Sequence, residues 1–81
     1  MSTSIFDELM TYHGQYPIVA YFRFDHLPAR LQSFSSPFAS TALLMVQSLP
    51  RNPEVSTGLR KLLEAKDCFV RAALDVESTD G

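Results

Sequence analysis

Cysteine occurs once in these 81 residues, at Cys68, so no disulfide can form within the chain. Histidine occurs twice, at His13 and His26, and neither has a second Cys or His at metal-ligand spacing, which excludes a zinc knuckle. Tryptophan is absent and glycine is scarce, with only three residues and no glycine-rich loop to cradle a phosphate. No apolar run approaches the ~20 residues that a membrane span needs. There is no basic excess either. The formal charge is −2, which argues against broad electrostatic binding to a nucleic-acid polymer. The first residues, Met-Ser-Thr-Ser-Ile-Phe-Asp-Glu, carry acids where an export signal carries bases, so the expected location is the cytoplasm.

What remains is a small, moderately apolar chain. A single domain of this size hides only ~60% of its unfolded surface, and such chains are usually supplemented by disulfides, metals or partner copies. With disulfide and zinc excluded, self-association is the expected supplement. Apolar residues make up 46% of the chain, ordinary for a water-facing protein. Charge is unevenly placed: residues 1–22 carry only Asp7 and Glu8, while all seven Lys and Arg lie between Arg23 and Arg71.

The chain divides into an N-terminal helix and arm (1–26), a helical hairpin (27–75) and a disordered tail (76–81). Ser4 is placed to cap a helix over residues 1–13, with Asp7 three residues on and His13-Gly14 as its stop. Ile5, Leu9 and Tyr12 would share its buried face. Residues 16–25, Y-P-I-V-A-Y-F-R-F-D, are β-branched and aromatic. One such segment cannot make a sheet, so it reads as an extended arm laid over the helices, or else as a strand paired with another protomer. The arm is favoured. Pro28 opens the next helix, which Ser35-Ser36-Pro37 either kinks or restarts. From Phe38 to Leu49 there are too many apolar residues for one stripe, implying a second face buried against something else.

Leu49-Pro50-Arg51-Asn52-Pro53-Glu54 marks a turn, with Asn52 as N-cap and Pro53 at the first helical position. The final helix should run from Pro53 to about Asp75. Leu59, Leu62, Leu63, Phe69, Val70, Ala73 and Leu74 form its apolar stripe. Lys66 falls inside that stripe, its stem lying along it. Arg60, Glu64, Asp67 and Arg71 line the other side, and Asp67–Arg71 has the spacing of an ion pair.

Catalytic constellations are nearly absent, and no enzyme activity, cofactor or metal is implied. Asp25-His26 reads as capping groups more readily than as a catalytic pair. Cys68 reads as a packed thiol, although Lys66 and Arg71 lie near it along the helix. Gly58 either admits a close neighbour or is merely tolerated within its helix. Arg51, Ser56, Arg60 and Lys61 cluster around a helix N-terminus, where phosphate binds readily. On residue types alone, a solvated helix face paired with Glu54 and Glu64 is the favoured reading of them. Tyr12, Tyr16, Tyr21, Phe22 and Phe24 could stack on bases or pack the arm onto the helices, and the residues by themselves favour packing.

Residues 22–74 resemble a known pattern. H-L-P-x-x-L-Q (His26–Gln32), S-x-P-F (Ser35–Phe38) and L-R-K-L-L-E-A-K-D (Leu59–Asp67) are shared with short uncharacterised helical proteins of actinobacteria and their phages. More remotely, Glu54, Ser56, Gly58, Lys61, Leu62, Glu64 and Ala65 resemble the second-helix motif of a phage family that inhibits CBASS immunity. Members of that family act as sponges for cyclic oligonucleotide messengers. They are small, helical and oligomeric, and hold nucleotides between protomers with aromatic, Lys, Arg, Ser and Thr side chains. The chain departs from that pattern at Asp67-Cys68-Phe69, where the family commonly has Met-Trp-Ala, and at Gly58, where it has Ala.

The resemblance implies a non-enzymatic, phage-type protein that sequesters a cyclic di- or trinucleotide at protomer interfaces in the host cytoplasm. Arg51, Ser56, Arg60 and Lys61 would contact phosphate, and Tyr12 or Tyr16 would stack on a base. The alternative is a structural or protein-interaction module without a small ligand, docking through the Leu43–Val46 face and the arm. Either way the expected fold is all-α: a two-helix hairpin with a short N-terminal helix and an extended arm, in an oligomeric bundle.

Overall fold

The first turn of the chain is set by one side chain. In the computed structural model, which describes the backbone of residues 4–79 and side chains of residues 4–75, the Ser4 hydroxyl accepts the Asp7 N–H at 3.0 Å and starts α1 (Ile5–Met10). Asp7 and Glu8 sit in that turn, where negative charge opposes the exposed N–H dipoles. The helix ends earlier than the His13-Gly14 signal suggested. From Thr11 the backbone tightens into i, i+3 bonds, Tyr12 N–H to Leu9 and His13 N–H to Met10, each at 3.0 Å. No described glycine has positive φ, so Gly14 is not a left-handed cap.

The segment expected as an extended arm is instead a 3-10 helix, Pro17–Phe22, and the described residues contain no strand. Its apolar spacing explains this. Tyr16, Val19 and Phe22 are buried at steps of three, the period of a 3-10 helix, while Tyr21 and Pro17 between them are exposed. Pro17 supplies the fixed φ of a first helical position. An extended chain would have alternated faces and put Val19 and Phe22 on opposite sides.

The two long helices, α2 (Ala29–Ser48) and α3 (Pro53–Thr79), lie against each other. Phe38, midway along α2, meets Phe69, in the second half of α3, while Met45 and Leu49 near the end of α2 share a groove with Val55 and Leu59 at the start of α3. The chain therefore reverses direction between them. Asn52 makes the reversal: its Oδ1 accepts the Glu54 N–H at 2.7 Å and its carbonyl accepts the Val55 N–H at 3.0 Å. α2 is not restarted at Ser36. It passes continuously through Pro37, leaving the Ser33 carbonyl without its i+4 donor on an exposed side of the helix. α3 runs to Thr79, past the expected stop near Asp75 and into the segment expected to be disordered; residues 80–81 of that tail lie outside the described residues.

The core gathers Leu9 from α1, Val19 and Phe22 from the 3-10 helix, Ala39, Ala42, Leu43 and Val46 from α2, and Val55 and Leu59 from α3. Each large side chain fully buried there contributes on the order of 1.5–3 kcal/mol. The small Ala39 and Ala42 lie in the same cluster, where their size leaves room for close approach. The second apolar face of α2 is uncovered: Phe34, Leu44, Met45 and Leu49 are exposed, as are Phe69 and Leu74 of the stripe expected on α3. The reason is shape. The backbone spans 46 × 32 × 17 Å, and its thinnest dimension has room for only two layers of helices whose axes pack about 8–10 Å apart. No helix in so thin a body can be covered on all sides.

Candidate functional site

The residues singled out for phosphate binding come together only in part. Tyr16, Arg51 and Ser56 line a cleft of about 330 Å³ with Gln15, Asn52 and Pro53. Arg60 and Lys61 are exposed further along α3 and do not line it. Tyr12 is half-buried against the core. Tyr16 is 4% exposed, and its hydroxyl accepts the Asn52 N–H at 3.3 Å. Its ring is locked in the core and has no free face for a base, which corrects the stacking role given to it. The start of α3 also satisfies its own donors through Asn52, and the Thr57 hydroxyl donates to the Pro53 carbonyl at 3.3 Å. Within one protomer this corner is a braced turn with Arg51 and Ser56 at its rim.

A second constellation lies between the Tyr21–His26 segment and α3. Ala20, Tyr21, Arg23, His26, Leu63, Lys66 and Asp67 line a cleft of about 520 Å³. It adjoins a smaller one of about 230 Å³ that shares Arg23, His26, Lys66 and Asp67 and adds Leu27, Val70 and Arg71. Lys66 is the anchor. Only 8% exposed, it extends its ammonium to the Tyr21 carbonyl at the end of the 3-10 helix, with Nζ donating at 2.6 Å. Burial pushes the Lys66 pKa below the usual lysine range, and the adjacent Asp67 carboxylate partly opposes that. On the rim, Arg23 Nε donates to Asp25 at 2.6 Å, and that bond holds the Asp25 carboxyl below its usual range. The expected Asp67–Arg71 pair does not form; Arg71 Nη2 turns to the exposed Cys68 Sγ at 3.4 Å.

Sequence reading placed Lys66 in the apolar stripe but gave its head no partner. The signal was the single lysine at a core-facing position. Its acceptor lies 45 positions away on a segment read as extended, so nothing local identified it.

Two apolar surfaces complete the inventory. Ser33, Phe34, Pro37, Phe38, Phe69, Ala72 and Ala73 surround a depression of about 440 Å³, within which Phe38 and Phe69 stack with centroids 5.9 Å apart. A groove of about 340 Å³ runs past Met45, Leu49, Val55, Gly58 and Leu62. A Cβ at Gly58 would meet no atom within 4 Å, so the protomer itself does not require glycine there.

Among the described residues, no group of three or more His, Cys, Asp or Glu could hold a metal ion, and no helix is long and apolar enough to cross a membrane. No protein-family model matches this chain, and no similar curated protein or solved structure was found.

Proposed function

We propose that this chain is a non-enzymatic association module that works as a homo-oligomer. One observation carries the reading: the aromatic depression around Phe34, Phe38 and Phe69, where Phe34 is 51% and Phe69 is 57% exposed. Isolated exposed apolar residues are ordinary, but a contiguous aromatic patch marks an association surface. The thin body and the apolar groove beside Gly58 support the same reading. Docking is by α2 and α3 side chains rather than by an extended arm, since the 3-10 helix is folded into the core.

Arg51 and Ser56 sharing one cleft at the turn before α3 favours a second reading, the phage-type sponge. There a cyclic di- or trinucleotide would sit where two such corners meet, with Arg60 and Lys61 supplied alongside. Native mass spectrometry separates the two. A bare oligomer that falls to monomer on Phe69→Glu supports the association module. Nucleotide retained at defined stoichiometry after incubation with mixed cyclic oligonucleotides, and lost on Arg51→Ala, supports the sponge. A wild-type protein that is monomeric throughout overturns the first reading.

A further inference from the structure

We infer that the cleft between the Tyr21–His26 segment and α3 is a binding site for a small phosphomonoester, held by Lys66, Arg23, His26 and Arg71. This inference is independent of the association reading, because on α3 the cleft uses Lys66, Asp67, Val70 and Arg71, whereas the aromatic depression uses Phe69, Ala72 and Ala73. At about 100° per residue these sets fall on different flanks of the helix.

Three observations converge. The first is charge. Three of the seven Lys and Arg line these two adjoining cavities in a protein whose formal charge is −2. Asp67 is the one carboxylate lining them, and Asp25 beside them is occupied by Arg23. The second is Lys66 itself. An ammonium has three donors, and Lys66 spends one on the Tyr21 carbonyl while being 8% exposed. A charge so desolvated is stabilised by an anion that accepts its remaining donors. Arg23 likewise commits only Nε to Asp25, leaving its terminal nitrogens for a forked contact of the kind that suits phosphate oxygens.

The third observation is size and shape. About 520 Å³ lies within the range of small-molecule sites and exceeds what a bare phosphate would fill. Tyr21 forms part of the wall with 68% of its surface exposed, so a flat ring is available to an organic group attached to the phosphate. A phosphomonoester is close to a dianion at neutral pH, matching the two or more cations that face it.

The test is an NMR titration of the 15N-labelled full chain with phenyl phosphate at low salt. Saturable amide shifts centred on Tyr21–His26 and Lys66–Arg71, absent with phenol, are expected. Arg23→Gln and Arg71→Gln, both at exposed positions that leave the core intact, should each weaken binding by roughly tenfold. Asp67→Asn should tighten it, an outcome that a purely structural role for these residues does not produce. Tyr21→Ala should reduce affinity for phenyl phosphate while leaving inorganic phosphate unaffected. Shifts confined to residues 51–57, no saturable shift, or affinities indifferent to Arg23→Gln and Asp67→Asn would each overturn the assignment.

Discussion

Ser35→Ala should stabilise this protein. Ser35 lies on the buried stripe of α2 with Leu31, Ala39, Ala42 and Val46, it is fully buried, and its hydroxyl has no hydrogen-bond partner. An unsatisfied buried hydroxyl costs about 1–3 kcal/mol relative to its hydrated state in the unfolded chain. Alanine removes that cost and has the higher helix propensity by up to about 0.5 kcal/mol. Against this stands a void the size of one oxygen atom, well under about 1 kcal/mol at ~24 cal/mol per Å³. The net expectation is a gain of about 1–2 kcal/mol, or roughly 4–16 °C in Tm for a domain this small.

Thermal and urea unfolding followed by circular dichroism would measure the gain. Both proteins must be compared at one protomer concentration, since the proposed self-association would contribute to apparent stability. Ser33→Ala is the matched control. Its hydroxyl is exposed and donates to the Arg30 carbonyl at 3.1 Å, so the change should stay within about 0.5 kcal/mol. A Ser35→Ala protein no more stable than wild type would refute the reasoning. It would show that the hydroxyl has an acceptor in the folded state, the carbonyl one turn back on α2 being the geometric candidate.

Two further outcomes follow from single interactions. Asn52→Ala removes the side-chain cap of α3 and should cost about 1 kcal/mol by urea unfolding, with Asn52→Asp restoring most of it. Lys66 gives a pH signature: its folded pKa lies below the unfolded value of 10.5, so between the two the unfolded state holds more protons and stability rises with pH. Urea unfolding of wild type minus Lys66→Met, measured from neutral pH towards 10.5, should therefore climb with pH; a flat difference would show that the ammonium is hydrated in the fold.

Much of the secondary structure was legible because its determinants are local. The Ser4 cap, the Asn52-Pro53 start of α3 and the 3.6-residue stripe that begins with Leu59, Leu62 and Leu63 each act within a turn or two. The failures have equally definite causes. The 16–25 segment is rich in residues favoured in strands, but its burial period of three is visible only when one knows that Tyr16, Val19 and Phe22 all face the same core. Pro37 signals a break by its own chemistry, yet α2 runs through it, and Ser33, whose carbonyl loses its i+4 donor, is an exposed residue. Of the proposed phosphate contacts, Arg51 and Ser56 are neighbours across one turn and so share a cleft, whereas Arg60 and Lys61 lie further along the helix and do not line it.

What the amino-acid sequence by itself determined is the all-helical character, the turn at residues 49–53 and the surplus of apolar surface. These follow from propensity, capping and composition, which operate at short range. Tertiary structure alone decided that Tyr16 is a core residue, that the second apolar face of α2 is left open, and that Lys66 reaches across 45 positions to the Tyr21 carbonyl. The last of these builds the cleft proposed above as a binding site. Arg23 and His26 meet Lys66 and Arg71 only because the 3-10 helix folds back onto α3, and long-range proximity of that kind leaves no periodic trace in a chain.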